Sequence, residues 1–272
     1  MVKIRPFLKW AGSKYNCLNE IISSLPTGQR LIEPFAGSGV VFMNTSYSSY
    51  LLAESNSDLV NIYRILQLNG ESFIDYCQQY FTPEANCKEK YYELRSEFNN
   101  LMDSNQKSAV FLYLNRHGYN GLCRYNSKGK YNVPFGLYEK PYFPRKEMML
   151  FYKKCLSAQF IHGDFRNTFA LAEPGDVIYC DPPYVPLTEN NQTLPYNQKL
   201  FSLEDQIELA ELAQETASKG IPVIISNHDT EFTRHHYKKA QIKSFYVPRW
   251  ISCRSQMRLP VKELVAVFNC PS

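Results

Sequence analysis

Hydrophobic positions along this chain follow two rhythms. Short apolar runs of strand length lie at Arg30–Phe35, Tyr50–Ala53, Gln159–His162, Asp176–Cys180, Pro222–Ser226, Gln241–Val247 and Glu263–Phe268, with the β-branched and aromatic content of buried strands. Between them, apolar residues recur at helical spacing. Tyr91, Leu94, Phe98 and Leu101 do so within the polar block 59–115, as does the segment Leu203–Lys219, which Gly220 stops. The first run breaks into Ala36-Gly37-Ser38-Gly39, followed by the apolar helix start Val40-Val41-Phe42-Met43; the second ends at Glu54 and opens a helix near Asp58. Strands alternating with helices predict an α/β fold around an open, mostly parallel sheet. Residues 57–144 interrupt the alternation with helices and then a Gly-, Asn-, Pro- and Tyr-rich stretch, 118–139, that reads as a hairpin or extended loop. They are expected to be an inserted substrate-recognition domain, with 1–56 and 145–272 forming the main domain.

Composition narrows the classes. The chain has 272 residues, of which 44% are hydrophobic, enough for a sizeable core. No apolar run reaches the roughly 18–20 residues of a membrane span, and Met1–Pro6 lacks the apolar segment of a signal peptide. The expectation is a cytoplasmic protein. Eight cysteines are scattered without CxxC spacing, and the five histidines include no HExxH, so isolated thiols and no metal site are expected. Net charge is only +4, but the positive residues cluster: Arg116, Arg124, Lys128, Lys130, Lys140 and Arg145 are interleaved with Tyr119, Tyr125, Tyr131, Tyr138 and Tyr142, against the single acid Glu139. Cations neutralise phosphates and aromatic rings stack on bases, so this stretch suits a nucleic acid. A solvated, tyrosine-rich loop would have the same composition.

Two motifs carry chemistry. Gly37 and Gly39 form a turn after a strand, leaving room for a ligand to approach backbone amides at a helix start. The third glycine of a dinucleotide fingerprint is missing. Glu54 ends the next strand, where a carboxylate receives ribose hydroxyls, so the pair favours an adenosine-containing ligand. Asp181-Pro182-Pro183-Tyr184 follows a buried strand, at the carboxyl end where open α/β sheets place ligands. Two prolines stiffen the turn and leave free carbonyls. Asp181 and the Pro182 carbonyl can accept the two hydrogens of an exocyclic amine while Tyr184 stacks on its ring. Accepting both hydrogens localises the nitrogen lone pair for attack on a sulfonium methyl group.

Phe7-Leu8-Lys9-Trp10-Ala11-Gly12-Ser13-Lys14, Glu33-Pro34-Phe35-Ala36-Gly37-Ser38-Gly39 and Asp181-Pro182-Pro183-Tyr184, in that order, resemble the DNA adenine methyltransferase (Dam) family. The block Leu114–Asn126 resembles its recognition hairpin, and Val133–Gly136 and Ile225–Thr230 extend the likeness over nearly the whole chain. The resemblance implies a class I, Rossmann-like methyltransferase sheet with an inserted, mainly helical recognition domain. It implies a monomeric enzyme that methylates adenine N6 within double-stranded GATC, without a metal. It implies S-adenosylmethionine contacts at Trp10, Lys14, Glu33, Phe35, Ala36, Gly37, Ser38, Gly39, Glu54 and Asp181, with Asp164 and Phe165 near the cofactor adenine. On the DNA side it implies Arg116, with Tyr119 as a wedge as the adenine leaves the stack and Asn120 at the vacated space. Arg124 is then the reader of a guanine, Leu122 and Pro134 meet thymine, and Tyr138 faces the bases. The sequence differs from the family pattern at Glu54, where Asp is usual, at Ser252–Arg258 in place of a Gly-rich stretch, and at Leu187–Leu200, which lacks a phenylalanine and is expected to order on DNA. An RNA base methyltransferase or a catalytically silent DNA-binding relative would share much of this pattern.

Overall fold

Residues 3–185, 201–248 and 260–269 are described by a computed structural model, so the expectations for Leu187–Leu200 and Ser252–Arg258 fall outside the described residues. Strands β1 (Arg30–Glu33), β2 (Ser49–Glu54), β3 (Ala158–His162), β4 (Asp176–Cys180), β5 (Val223–His228), β6 (Gln241–Val247) and β7 (Val261–Phe268) are interspersed with helices. The helices are α1 (Leu18–Ile22), α2 (Val40–Asn44), α3 (Ser57–Gln78), α4 (Lys88–Phe98), α5 (Asn105–His117), α6 (Arg145–Cys155), α7 (Phe165–Phe169), α8 (Leu203–Ser218) and α9 (Glu231–His236). None is long and apolar enough to cross a membrane. The chain divides into two units, one of Met1–Tyr15, Gly37–Asn44 and Glu54–His162, the other of Asn16–Ala36, Thr45–Ala53 and Gly163–Ser272. Compactness thus cuts the chain elsewhere than at 57 and 145: the N-terminal segment, α2, α6 and β3 group with the 57–144 helices.

The second unit is built on strands in the order β2-β1-β4-β5-β7-β6. β1 runs parallel to β2 and β4, with Ile32 opposite Leu51, and β4 runs parallel to β5, with Ile178 opposite Val223. β7 is antiparallel to both β5 and β6. All five positions of β4 are buried, as expected of a strand covered on both faces. β6 is exposed or half-buried throughout and carries Lys243, a charge of the kind that discourages edge pairing. Arg30 grips Asp176 with two hydrogen bonds of 3.0 and 2.6 Å, tying the start of β1 to the start of β4. Helix α8 begins at a reciprocal cap between Ser202 and Asp205, which satisfies two otherwise orphaned backbone donors.

In the first unit two asparagines pin the extended N-terminal segment. Asn44 accepts from the Ile4 amide at 2.7 Å and donates to its carbonyl at 2.9 Å; Asn115 on α5 does the same for Lys9 at 2.9 and 2.7 Å. The core there is aromatic. Tyr63 stacks on Phe151 at 4.7 Å, and Phe7 meets Phe151 edge-on at 5.1 Å. Helix α3 is broken at Gly70 (φ 52°, ψ −127°), and a Cβ there would come within 2.5 Å of the Tyr152 ring. The 118–139 stretch is a compact loop: a single helical turn at Tyr119–Gly121, then isolated antiparallel pairs Gly118–Phe135 and Tyr125–Tyr131.

His117, at the end of α5, is buried against Tyr113, with ring centroids 3.9 Å apart, and its Nδ1 lies 3.0 Å from the Tyr113 carbonyl. A carbonyl only accepts, so Nδ1 carries the proton. Burial, assisted by Lys9, pushes the ring pKa down to about 4 from 6.5. The unfolded chain therefore takes up the proton first. The stability contributed by the neutral ring is whole above about pH 6.5 and is lost as pH falls toward about 4, at roughly 1.4 kcal/mol per pH unit. Urea unfolding at pH 7 and pH 5 should show a smaller loss of stability for His117→Gln than for the wild type.

Candidate functional site

Asp181-Pro182-Pro183-Tyr184 leaves the C-terminal end of β4 within the second unit, and side chains beneath it fix its shape. The Ser226 hydroxyl lies 3.2 Å from Asp181 Oδ1 and 2.9 Å from the hydroxyl of the fully buried Tyr179. Since the carboxylate only accepts, the chain of donation runs from Tyr179 to Ser226 to Asp181. Burial, with Asp181 nearby, pushes the Tyr179 phenol well up, so it remains a donor. The Pro183 carbonyl accepts from Gln206 Nε2 at 2.6 Å. The Tyr184 hydroxyl donates to Glu263 at 3.2 Å, and its ring stands edge-on to His228 at 4.8 Å, which sets the ring plane.

Asn227, wholly buried on β5, closes this network. Its Oδ1 accepts from the amides of Val185 (3.1 Å) and His228 (2.9 Å), and its Nδ2 donates to Gln206 Oε1 (3.0 Å) and the Tyr237 hydroxyl (3.1 Å). Every hydrogen-bonding capacity of an amide side chain is used. Two residues on, Asp229 is held by Arg234 at 2.5 and 2.8 Å and by Lys262 at 3.1 Å, and the Arg234 guanidinium holds its carboxyl far below the usual carboxylate range.

The first unit carries Trp10, Lys14, Gly37, Ser38, Gly39 and Glu54. Gly37 (φ 48°) and Gly39 (φ 68°) adopt left-handed backbone, and a Cβ on Gly37 would come within 3.1 Å of the Trp10 indole. The Gly37 amide donates to Glu54 Oε2 at 3.1 Å, and the Tyr63 hydroxyl donates to the Gly37 carbonyl at 2.6 Å. Glu54 Oε1 accepts from the Ser55 hydroxyl and the Asn56 amide, each at 3.1 Å. Burial raises the Glu54 pKa against the pull of these donors. Lys14 is buried and donates to the Gly12 carbonyl at 2.7 Å, and Ser38 lies 3.4 Å from Ser13.

The second unit carries Glu33, Phe35, Ala36, Asp164, Phe165 and Asp181. Phe35 stacks on Phe165 at 5.6 Å, and Phe201 closes an aromatic trio at 5.5 Å from each. Asp164 caps α7 through the Arg166 amide at 2.9 Å. Within the first unit, the Glu54 carboxylate beside the side-chain-free glycine turn suits ribose hydroxyls; within the second, Phe35 and Phe165 offer apolar rings.

In the 118–139 loop, Tyr119 is 48% exposed in the helical turn that opens it. Asn120 beside it is exposed and holds the only left-handed backbone of a non-glycine among the described residues, φ 52°. Arg124 projects from the loop, its Nε donating to Asn132 Oδ1 at 2.7 Å; Pro134 is exposed and Leu122 and Tyr138 are half-buried.

The chain matches, over residues 10–249, the family described as D12 class N6 adenine-specific DNA methyltransferase. It belongs to that family. The methyltransferase is 46% identical over 269 residues to the DNA adenine methylase of Escherichia coli (strain K12), covering 99% of this chain and 97% of that protein. It is 47% identical over 270 residues to the DNA adenine methylase of Vibrio cholerae serotype O1 (strain ATCC 39541 / Classical Ogawa 395 / O395), covering 99% and 98%. The DNA adenine methylase of Serratia marcescens is 46% identical over 270 residues, at 99% and 100% coverage. The methyltransferase therefore acts on adenine in DNA with S-adenosylmethionine as its cofactor.

Arg116 is not a surface cation of the basic stretch but is 8% exposed in the last turn of α5. Its guanidinium donates to the Phe7 carbonyl and lies 5.6 Å from the Tyr142 ring, and burial pushes its pKa down to about 10. Ten consecutive residues, Ser108–His117, are buried, and the helix carries Arg116 inside with them. Conversely, the sequence reading missed Gln206 and Asn227 as supports of the methyltransferase's tetrapeptide. A polar Asn inside the apolar run of β5 was the available signal, because a buried amide must find partners. Lys9 was missed too: its ammonium sits 4.1 Å from the Tyr138 ring centre, beside the loop.

Proposed function

We propose that this methyltransferase transfers its methyl group to N6 of adenine within double-stranded GATC, on a base rotated out of the duplex. The observation that carries the reading is Asp181, held by Ser226 and Tyr179 on a fully bonded buried network at the end of a central strand. S-adenosylmethionine, when bound, supplies the methyl group. Trp10, Lys14, the Glu33–Gly39 turn, Glu54, Asp164 and Phe165 hold it, with Glu54 taking ribose hydroxyls. Asp181 and the Pro182 carbonyl accept the two amine hydrogens, which draws the nitrogen toward sp³ and frees its lone pair. Tyr184 stacks on the target ring. A paired base cannot present its amine this way, so the reading requires flipping. Tyr119 acts as the wedge and Asn120 fills the gap. Leu122 and Pro134 meet a thymine methyl, Tyr138 faces the bases, and Arg116 acts from beneath the loop rather than on a phosphate.

Arg124 reads a guanine. Its Nε and Nη2 are engaged by the Asn132 side chain and carbonyl, at 2.7 and 3.4 Å, which leaves Nη1 and the outer hydrogen of Nη2 for the O6 and N7 acceptors. Arg124→Ala is expected to lose discrimination at one guanine position, costing about 1–3 kcal/mol in kcat/KM on the cognate duplex. Competition assays with duplexes altered at each base of GATC check this, and unchanged preference at every position would remove Arg124 from the reading. The whole reading is tested by expressing the protein in cells without adenine methylation and mapping modified adenines at single-base resolution. Methylation outside GATC would overturn the site assignment.

A further inference from the structure

The two residues flanking Arg124 both dock on the segment that ends β2 and opens α3. The Tyr125 hydroxyl donates to Asp58 Oδ2 at 2.6 Å, and Asn56 Nδ2 donates to Cys123 Sγ at 3.7 Å. Alternate side chains of an extended stretch point opposite ways, so turning 123 and 125 inward directs Arg124 outward. Asp58 is buried and also pairs with Lys107 at 2.9 Å, so the tyrosine meets a fixed carboxylate. At the other end of the same five residues is Glu54, whose Oε1 accepts from the Asn56 amide at 3.1 Å. Asn56 therefore serves both ends. Its amide holds Glu54, its Oδ1 caps α3 at the Leu59 amide (3.0 Å), and its Nδ2 reaches the loop thiol.

We propose that the segment Glu54–Asp58 couples cofactor occupancy to the presentation of Arg124, with Cys123 and Tyr125 as positioning residues. This rests on the reading of Glu54 as the ribose carboxylate and Arg124 as the guanine reader. Ribose hydroxyls donating to Glu54 compete with Gly37, Ser55 and Asn56 for the same lone pairs. Any adjustment of the Asn56 amide is transmitted within one residue to its cap and its thiol contact. Linkage makes the effect reciprocal: a cofactor that tightens reading of the duplex is itself tightened by the duplex.

The test measures binding of a fluorescent GATC duplex with and without S-adenosylhomocysteine, which occupies the site without reacting. Wild-type protein should bind the duplex about 10-fold more tightly with it, and Tyr125→Phe about two-fold or less. Binding of S-adenosylhomocysteine alone, and of the duplex alone, should each stay within about two-fold of wild type in Tyr125→Phe, whereas general loosening of the loop weakens duplex binding with or without the cofactor product. Cys123→Ala removes the other contact without touching Asp58, and carries the test if Tyr125→Phe does not fold. Wild-type coupling retained in the folded variants, or no coupling in the wild type, overturns the proposal. Methylation of the GATC duplex by the wild type is assayed in parallel: its absence refutes the underlying reading, while methylation with unaltered coupling refutes the coupling alone.

Discussion

Asp181→Ala is expected to slow methyl transfer to a GATC duplex by about 10²–10³-fold, the usual cost of removing one preorganised partner from a transition state. The reason lies in what an exocyclic amine needs. Conjugation with the ring delocalises its lone pair, so the ground state gains little from a carboxylate, whereas the nitrogen carrying developing positive charge gains much. Asp181 is preorganised for this because the relay from Tyr179 through Ser226 orients the carboxylate before substrate arrives. The substitution leaves β4 and the two prolines in place, so thermal unfolding should move little. Single-turnover transfer from labelled cofactor measures the chemical step, and a loss seen only in KM would assign Asp181 to ground-state binding instead. Asp181→Asn separates charge from shape: it keeps one acceptor oxygen and should recover only part of the rate.

The same tetrapeptide shows how far the sequence could be read. β1, β4 and β5 were legible because buried strands must be nearly continuous apolar runs, and the position of Asp181 at the end of such a run follows directly. β6 and β7 were legible as strands too, but their antiparallel pairing was not, because strand direction is decided by where the chain crosses over and leaves no periodicity behind. The break in α3 was hidden for a related reason. An isolated glycine is tolerated in a helical pattern, and only the folded chain shows the left-handed backbone at Gly70 (φ 52°) that favours glycine, with the ring of Tyr152, 82 positions later in a different helix, packed against it. Arg116 misled through its neighbours: a basic residue beside a basic, aromatic stretch looks exposed, yet α5 is buried around its circumference and draws the guanidinium in. The residues proposed to react stand out by their chemistry, whereas the residues that hold them do not.

Asn227→Leu tests those hidden supports. Leucine nearly conserves volume, so no cavity opens, and what is lost is the set of four hydrogen bonds. The Val185 and His228 amides, Gln206 Oε1 and the Tyr237 hydroxyl lose a buried partner together. An unsatisfied buried group costs about 1–3 kcal/mol, and the Tyr237 hydroxyl loses only a donor and keeps its own hydrogen to give, so a net loss of about 3–5 kcal/mol is expected. Urea unfolding monitored by circular dichroism checks it, and a loss below about 1 kcal/mol would show that the network relaxes onto other partners. The functional consequence is separate from the stability. Asn227 holds the amide just after the tetrapeptide, and through Gln206 it holds the Pro183 carbonyl, so its loss frees Asp181-Pro182-Pro183-Tyr184 on its C-terminal side. Under conditions where the variant remains folded, kcat should therefore fall while binding of S-adenosylhomocysteine is retained. Gln206→Leu, which removes the bond to Pro183 while Asn227 still holds Val185, should show a smaller loss in the same direction.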